Sequence, residues 1–397
     1  MIFIKNNKTI QREEMGMKKR LVSGLLAGAM VLSFAGCGSG TSSNASSAAS
    51  AAASSAEKTV SVSSVAGSAN SVEASSNTAS KGNVTNYKIG LSIMELTAYT
   101  WFQGVVEGAE QWNEENGPKY GVNFEYDVED SRSDVQTMLQ NLDNMQAAGC
   151  QGIIVEPADA SSAIPTLKEC VNNGIPVVVI DYKQETTSDD DKVWSTFVGH
   201  DMKALGTEAG KAAVAYLKDE KNMTKEDSPN CLFITVPSSG QTSADRFAGY
   251  KEAILAEFPK ANIIEEGDSG AHTRDSAQTL MENILARESE IDVVSGHNDA
   301  EVVGAYNAAK AEGRTEMGFI GIAGDKDVLG WIQNGDPQWV GEVLQDPVVL
   351  GKTATQAMYE TLVEKKELPD DYELPEPECI TKDNIDQYDW QDWGWLG

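Results

Sequence analysis

Basic residues are scarce in this chain: 31 lysines and arginines stand against 61 aspartates and glutamates, a formal net charge of −30. So acidic a surface repels phosphate backbones, which excludes nucleic acid as a partner class. Histidine is scarcer still, with three in 397 residues, His200, His272 and His297. The five cysteines show no CxxC spacing, so no local zinc motif is written in the sequence. A G-x-S-x-G elbow, a Walker loop and an HExxH pair are all missing. Without them the expectation is a protein that is not an enzyme and carries no cofactor.

One apolar run is long. Leu21 to Ala35 (LVSGLLAGAMVLSFA) follows the basic stretch Met17-Lys18-Lys19-Arg20. It is too short to span a membrane as a mature helix and reads as a signal peptide. Phe34-Ala35-Gly36-Cys37 resembles the lipobox of bacterial lipoproteins, with Phe in place of the usual Leu. That resemblance implies cleavage before Cys37 and lipidation of its thiol, so that the protein sits outside the cytoplasm, anchored to the cell membrane by lipid only. Residues 1–16 look unlike a leader, which points to translation from Met15 or Met17. From Gly38 to about Asn86 the chain is mostly Ser, Ala, Gly and Asn with a few Val and no aromatic residue. Such a composition buries too little apolar surface to offset conformational entropy and is expected to act as a tether. Cys150, Cys170, Cys231 and Cys379 remain; export permits a Cys150–Cys170 bond but does not require one.

From Tyr87 onward, apolar and often β-branched runs alternate with amphipathic stretches. The predicted strands are 87–94, 122–128, 152–155, 176–181, 194–199, 230–236, 262–266, 291–295, 318–322 and 340–344. The predicted helices are 100–116, 131–148, 161–173, 201–217, 243–258, 273–287, 298–312, 326–334 and 347–365. Near-continuous apolar strands in such alternation imply parallel sheets covered by helices on both faces. About ten strands fit two α/β lobes better than one open sheet. Asp201 is a candidate cap for the fourth helix, and Gly174, Gly313 and Gly335 stand where helices should end.

In doubly wound folds, ligands bind beyond the carboxyl ends of the strands. Those positions here carry Tyr99, Trp101 and Phe102 after the first strand, then Asp181 and Tyr182, then His200. In the second half they carry His272, then His297, Asn298 and Asp299, then Asp325, then Gln345. All three histidines fall at strand ends. Planar hydrogen-bonding groups beside aromatic rings are the vocabulary of sugar recognition: amides and carboxylates meet hydroxyls, and a ring covers the apolar C–H face. A metal site built from the three histidines is the other chemistry their placement permits.

Seven stretches, in order, are KIGLSIMELTAYTWFQGVVEGAE, QTMLQNLDNMQAAGCQGIIVEPAD, GIPVVVIDYK, TFVGHDMKALGTEAG, TSADRFAGYKEAI, VVSGHNDAEVVGAYNAA and WVGEVLQDPVVLGKTA. Together they resemble the type I periplasmic sugar-binding proteins of bacterial ABC importers, the ribose/galactose/xylose-binding family, over about residues 87–385. The resemblance implies two Rossmann-like doubly wound lobes joined by a three-segment hinge. The implied division is a signal peptide over 1–36, a lipidated cysteine and tether over 37–86, an N-terminal lobe of 87–199 plus about 345–380, and a C-terminal lobe of 200–344 plus about 381–397. It implies crossovers near 197–200, 344–345 and 375–383. It further implies that a monomer captures a sugar-like small molecule between closing lobes and delivers it to the membrane subunits of an ABC transporter. A ligand-sensing lipoprotein serving a membrane kinase, and a metal- or nucleoside-binding relative, are the alternatives.

Carried over residue by residue, Trp101 and Phe102 match the family's paired aromatics and Asp181 its aspartate after the fourth strand. Asn298 and Asp299 match the family's Asn-Asp pair, of which Asn298 would face the ligand, and Gln345 matches the hinge glutamine; on its place at a helix start, Asp299 is the expected cap. Tyr182 replaces an arginine of ribose binders. Ala244 stands where a ligand-contacting arginine is expected, with Arg246 as a structural arginine nearby. Ala323 replaces a hydroxyl-gripping aspartate, with Asp325 shifted by two. These departures imply a ligand other than ribose: another sugar, a polyol, a sugar derivative or a nucleoside-like molecule.

Overall fold

The computed structural model describes residues 84–97, 100–181, 193–268, 272–372 and 374–395. The first half runs β1 (Thr85–Ile93), α1 (Trp101–Tyr120), β2 (Val122–Asp130), α2 (Val135–Ala147), β3 (Gly152–Val155), α3 (Ala160–Asn172), β4 (Val177–Ile180) and β5 (Thr196–Val198). The second half runs α4 (Met202–Asp219), β6 (Asn230–Thr235), α5 (Gly240–Glu257), β7 (Asn262–Gly267), α6 (Arg274–Arg287), β8 (Val293–Gly296), α7 (Asp299–Ala311), β9 (Gly318–Ala323), α8 (Lys326–Gln333) and β10 (Trp339–Leu344). Then follow α9 (Pro347–Leu362), β11 (Asp371–Tyr372), β12 (Cys379–Ile380) and two short 3-10 turns.

Two six-stranded sheets form, ordered β11-β5-β4-β3-β1-β2 and β12-β10-β9-β8-β6-β7. Pairing is parallel throughout the first sheet; in the second, β12 alone runs antiparallel, on β10. In each sheet the strand order reverses beside the first strand, β1 or β6, and that reversal opens a crevice at the carboxyl ends. The strand side chains alternate between faces. Ile154, Val178 and Ile180 pack toward α1 and α9, whereas Ile153, Val155, Val177 and Val179 pack toward α2 and α3. The second sheet repeats this, with Leu232, Ile234 and Val294 against α6 and α7, and Cys231, Phe233 and Val293 against α4 and α5. Burial on both faces is why these strands read as unbroken apolar runs.

The polypeptide passes from one sheet to the other three times: between β5 and α4, between β10 and α9, and between β11 and β12. The two-residue strands β11 and β12 went unpredicted. They are too short and polar to leave a periodic signal, and exist because each finds an edge to pair with. Helix α1 runs past its predicted end, through Pro118 to Tyr120, and stops at Gly121 in the left-handed region (φ 67°). Gly174, Gly313 and Gly335 are also left-handed. Asp201 caps α4, accepting from the amide of Ala204 at 3.0 Å. Cys150 and Cys170 lie in one core layer as free thiols. Among the described residues no helix is long and apolar enough to cross a membrane.

Helices α4 and α5 touch backbone to backbone, and this contact positions the site. A methyl group built on Gly206 would lie 1.8 Å from the carbonyl oxygen of Arg246, and one on Gly249 would lie 2.1 Å from that of Lys203. Neither obstacle is a flexible side chain, so the helices themselves would have to separate. Gly206→Ala is expected to cost about 1–3 kcal/mol by overpacking. A thermal melt of the variant checks this, and a melting temperature equal to that of the parent would refute the close-contact account.

Candidate functional site

The carboxyl ends of both sheets face a shared cleft of about 710 Å³, within the size range of small-molecule sites. One wall carries Met94, Trp101, Phe102 and Asp181; the other carries Arg246, His272, His297, Asn298, Asp299, Ala323 and Asp325; Gln345 and Trp395 complete it.

Arg246 organises the floor. It projects from α5 and is 3 % exposed. Its Nη1 donates to the carbonyl of His297, and its Nη2 donates to Gln345 Oε1 at 2.7 Å. Gln345 in turn donates to Asp181 Oδ1 at 3.3 Å. The indole N–H of Trp101 donates to the backbone carbonyl of Gln345 at 2.8 Å. Residues from the ends of β4 and β8, from α1 and α5, and from the second crossing are thereby tied together. Asp181 adopts φ 58°, an uncommon backbone for a non-glycine residue. Burial pushes its carboxyl up to about 6 although the Arg246 charge and the Gln345 hydrogen bond pull it down.

Trp101 and Phe102 meet edge to face with centroids 5.1 Å apart. Phe102 also belongs to the core of the first half, and half-buried Trp101 packs against the cores of both. His297 is buried, its Nδ1 without a hydrogen-bond partner among the described residues. Its pKa is pushed down to about 3, chiefly by burial and then by the charge of Arg246. A neutral imidazole at a cleft wall suits a hydroxyl group.

Two expectations need correction, the place of His200 and the cap of α7, while Asn298 and Asp325 line the cleft with other engagements as well. His200 does not line the cleft: it stands at the β5–α4 crossing, where burial and Arg246 push its pKa to about 3. Asn298, not Asp299, caps α7: its side-chain oxygen accepts from Ala300 N at 2.9 Å, and Glu301 answers by accepting from Asn298 N at 3.2 Å. Asn298 therefore reaches the cleft with its oxygen already engaged. Asp299 is buried below, accepting from the amides of Gly324 and Asp325 at 3.1 and 2.8 Å. Asp325 is committed as well. Its Oδ1 caps α8 through Asp327 N at 2.9 Å and its Oδ2 pairs with Arg274 at 2.6 Å. Tyr99, Tyr182 and Cys37 lie outside the described residues.

Sequence reasoning passed over Arg246 as a cleft residue, and also Arg274 and Trp395. Ala244 is an exposed position of α5 outside the cleft, whereas Ala323 lines it. Trp395 comes from the C-terminal segment, packs into the core of the second half and stacks on Trp393. The aromatic density of DWGWLG was its signal. The three histidines do not form one metal cluster. Among the described residues, the group able to hold an ion is Asp268, His272 and Glu301, with ligand-type atoms all within 4.8 Å of one another.

Several carboxyls around the cleft are buried and resist ionisation. Glu342 is held well above the ordinary range by burial and by repulsion from Asp299, which itself rises to about 6, mainly through burial. Glu301 rises to about 7 and Glu156 well above its usual value, both led by burial. With Asp181, these groups hold protons in the folded state that unfolded carboxylates release near pH 4. Their contribution to stability therefore grows as pH falls from about 7 toward 5. His200 and His297 act oppositely below about pH 6.5, because unfolded imidazoles take up protons that the buried rings refuse. Five carboxyls outweigh two imidazoles, so the melting temperature should be higher at pH 5.5 than at pH 7.5. A maximum at or above pH 7.5 would contradict this.

A family model described as "Periplasmic binding protein domain" matches residues 89–366. The ribose import binding protein of Bacillus subtilis is 30% identical over 304 residues, covering 72% of this chain and 85% of the relative. The xylitol-binding protein of Mycolicibacterium smegmatis is 26% identical over 307 residues, covering 77% and 80%. Among solved structures, a periplasmic solute-binding protein from Actinobacillus succinogenes with bound D-allose superimposes with a TM-score of 0.64 at 20% identity, covering 76% of this chain and 100% of that one. Matching along most of its folded length, with two doubly wound sheets facing one cleft, the chain belongs to the periplasmic binding protein family, in its type I sugar-binding group.

Proposed function

We propose that this protein is an extracytoplasmic solute receptor that takes a sugar or polyol into the cleft and presents it to the membrane subunits of an ABC importer. The observation that carries the reading is the floor Asp181–Gln345–Arg246–His297 beside Trp101 and Phe102. A carboxylate, an amide and a neutral imidazole next to an aromatic pair offer acceptors and donors to vicinal hydroxyls. The rings offer a flat face to the C–H groups of a cyclic sugar or an open polyol. The names of the relatives, which bind ribose and xylitol, support the same ligand class. Binding, not turnover, is the activity proposed.

Gln345 lies at a crossing between the two halves, Trp101 at the start of α1 donates to its carbonyl, and both halves contribute lining groups. A ligand that touches both walls favours the approach of the halves by its differential affinity for the closed form. That closed form is what the importer would recognise. The proposed division places 87–199 with about 345–380 in one lobe and 200–344 with about 381–397 in the other. Anchoring is proposed through Cys37, supported by the Phe34-Ala35-Gly36-Cys37 stretch and the Ser/Ala tether after it.

Isothermal titration against a panel of pentoses, hexoses, polyols, inositols and nucleosides tests the reading; saturable binding of at least one sugar or polyol is expected. Asp181→Ala should weaken that ligand by about 1–3 kcal/mol, the loss of a hydrogen bond to a charged group. Because the Asp181 carboxyl sits at about 6, affinity for a ligand hydroxyl should fall as pH drops from 7 to 5 and be flat across that range in Asp181→Asn. Unchanged affinity in Asp181→Ala, or no binding anywhere on the panel, would refute the assignment. For the anchor, Cys37→Ser should leave the protein in the soluble fraction of fractionated cells. Persistent membrane association of that variant would refute lipidation at Cys37.

A further inference from the structure

At the cleft rim, Asp268 follows β7, His272 precedes α6 and Glu301 lies in the first turn of α7. Their ligand-type atoms all fall within 4.8 Å of one another. Glu301 is fully buried, and its Oε1 has no hydrogen-bond partner among the described residues. That oxygen points at His272 Nδ1, 3.9 Å away, which is likewise without a hydrogen bond among them. Leaving a buried carboxylate oxygen unmatched is costly.

The rest of each side chain is held by other groups. His272 Nε2 meets Ser238 Oγ at 2.6 Å. If that ring nitrogen carries the proton and donates, the lone pair is left on Nδ1, the atom facing Glu301. An outer partner on the second ring nitrogen is the usual companion of a metal-bound histidine. Glu301 Oε2 accepts from Asn298 N at 3.2 Å, and Asp268 Oδ2 accepts from Ser276 Oγ at 2.8 Å. Backbone at His272 is left-handed, φ 54°.

Ser238, His272 and Glu301 occur in the spatial order of a hydrolytic triad, but 3.9 Å exceeds hydrogen-bond reach, so Glu301 does not orient the imidazole as a triad acid must. Two donors about 2.1 Å from one tetrahedral ion lie roughly 3.4 Å apart. His272 Nδ1 and Glu301 Oε1, 3.9 Å apart, would close by roughly 0.5 Å to meet that.

We propose that Asp268, His272 and Glu301 form a binding site for a divalent transition cation of the zinc type at the rim of the cleft. One imidazole and two carboxylates match that class, whereas an all-oxygen set would suit calcium or magnesium. Three protein donors leave a coordination position for water or a ligand oxygen.

The test uses the tag-free, chelator-stripped protein titrated with Zn²⁺ and, separately, with Ca²⁺, in the absence of any sugar. One equivalent of Zn²⁺ should bind and raise the melting temperature, and Ca²⁺ should not. His272→Ala and Glu301→Gln should each weaken Zn²⁺ by at least about tenfold, as expected for loss of a direct ligand. His272→Ala is the safer variant, since that side chain is a third exposed; circular dichroism confirms that both variants fold. Absence of one-equivalent binding, a preference for Ca²⁺, or parent-like Zn²⁺ affinity in both variants would overturn the proposal. None of these outcomes bears on sugar binding, which is measured separately.

Discussion

The guanidinium of Arg246 is the joint on which the cleft floor depends. It is nearly fully buried, and a buried cation is tolerable only when its donors are matched. The carbonyl of His297 takes a donor of Nη1 and the amide of Gln345 one of Nη2, and Gln345 extends the network to Asp181 in the first half. The same charge depresses the basicity of His200 and His297. One arginine thus fixes the end of β8, the second crossing and the charge state of the wall. It reaches this position because Gly206 lets α5 lie directly on α4. A packing constraint on a neighbouring helix, outside the cleft, is therefore part of the site.

The two halves solve one problem twice. Each buries a parallel sheet between helices and reverses strand order beside its first strand. Each consequently exposes loop residues at its carboxyl edge, and the crossings bring the two edges to one space. Trp101 illustrates the result. Its ring packs on both cores while its N–H reaches the crossing at Gln345. A residue so shared senses the relation between the halves, and a ligand seated against it would do the same.

Much of the fold was legible because burial on both faces writes itself as apolar runs, as at Ile153–Val155 and Val177–Ile180. The strands β11 and β12 were not, because their stability comes from partners distant in sequence. The lining of the cleft was legible in part as a set of positions: Asp181, His297 and Gln345, which face it, could be placed from the strand ends alone. What each side chain does there was harder to read. Asn298 and Asp299 are adjacent and both able to cap a helix; local backbone geometry at the end of β8 gave the cap to Asn298 and sent Asp299 inward to two amides. Asp325 reads in the sequence as free to grip a hydroxyl, yet Arg274, fifty-one positions earlier, holds it. Pairings of that kind have no signature in a single sequence.

The buried carboxyls expose a cost accepted for function. Glu342 and Asp299 crowd over Gly321, where an added methyl would lie 1.9 and 2.4 Å from their oxygens, and both accept from the Gly324 amide. Glu301 faces His272 across a gap too wide for a hydrogen bond. Burial of such acids opposes folding at neutral pH, and the amides of Gly324, Asp325 and Asn298 offset only part of that cost. The acids do not belong to the apolar core of either half: Asp299 and Glu301 follow β8, Glu342 lies in β10, and Asp299 lines the cleft. On the proposed reading, acceptors held there have already met in folding the desolvation that a binding step would otherwise carry. The acidic surplus that opened the sequence is thus of two kinds: a solvated surface that keeps the protein apart from polyanions, and a small buried set that equips the cleft.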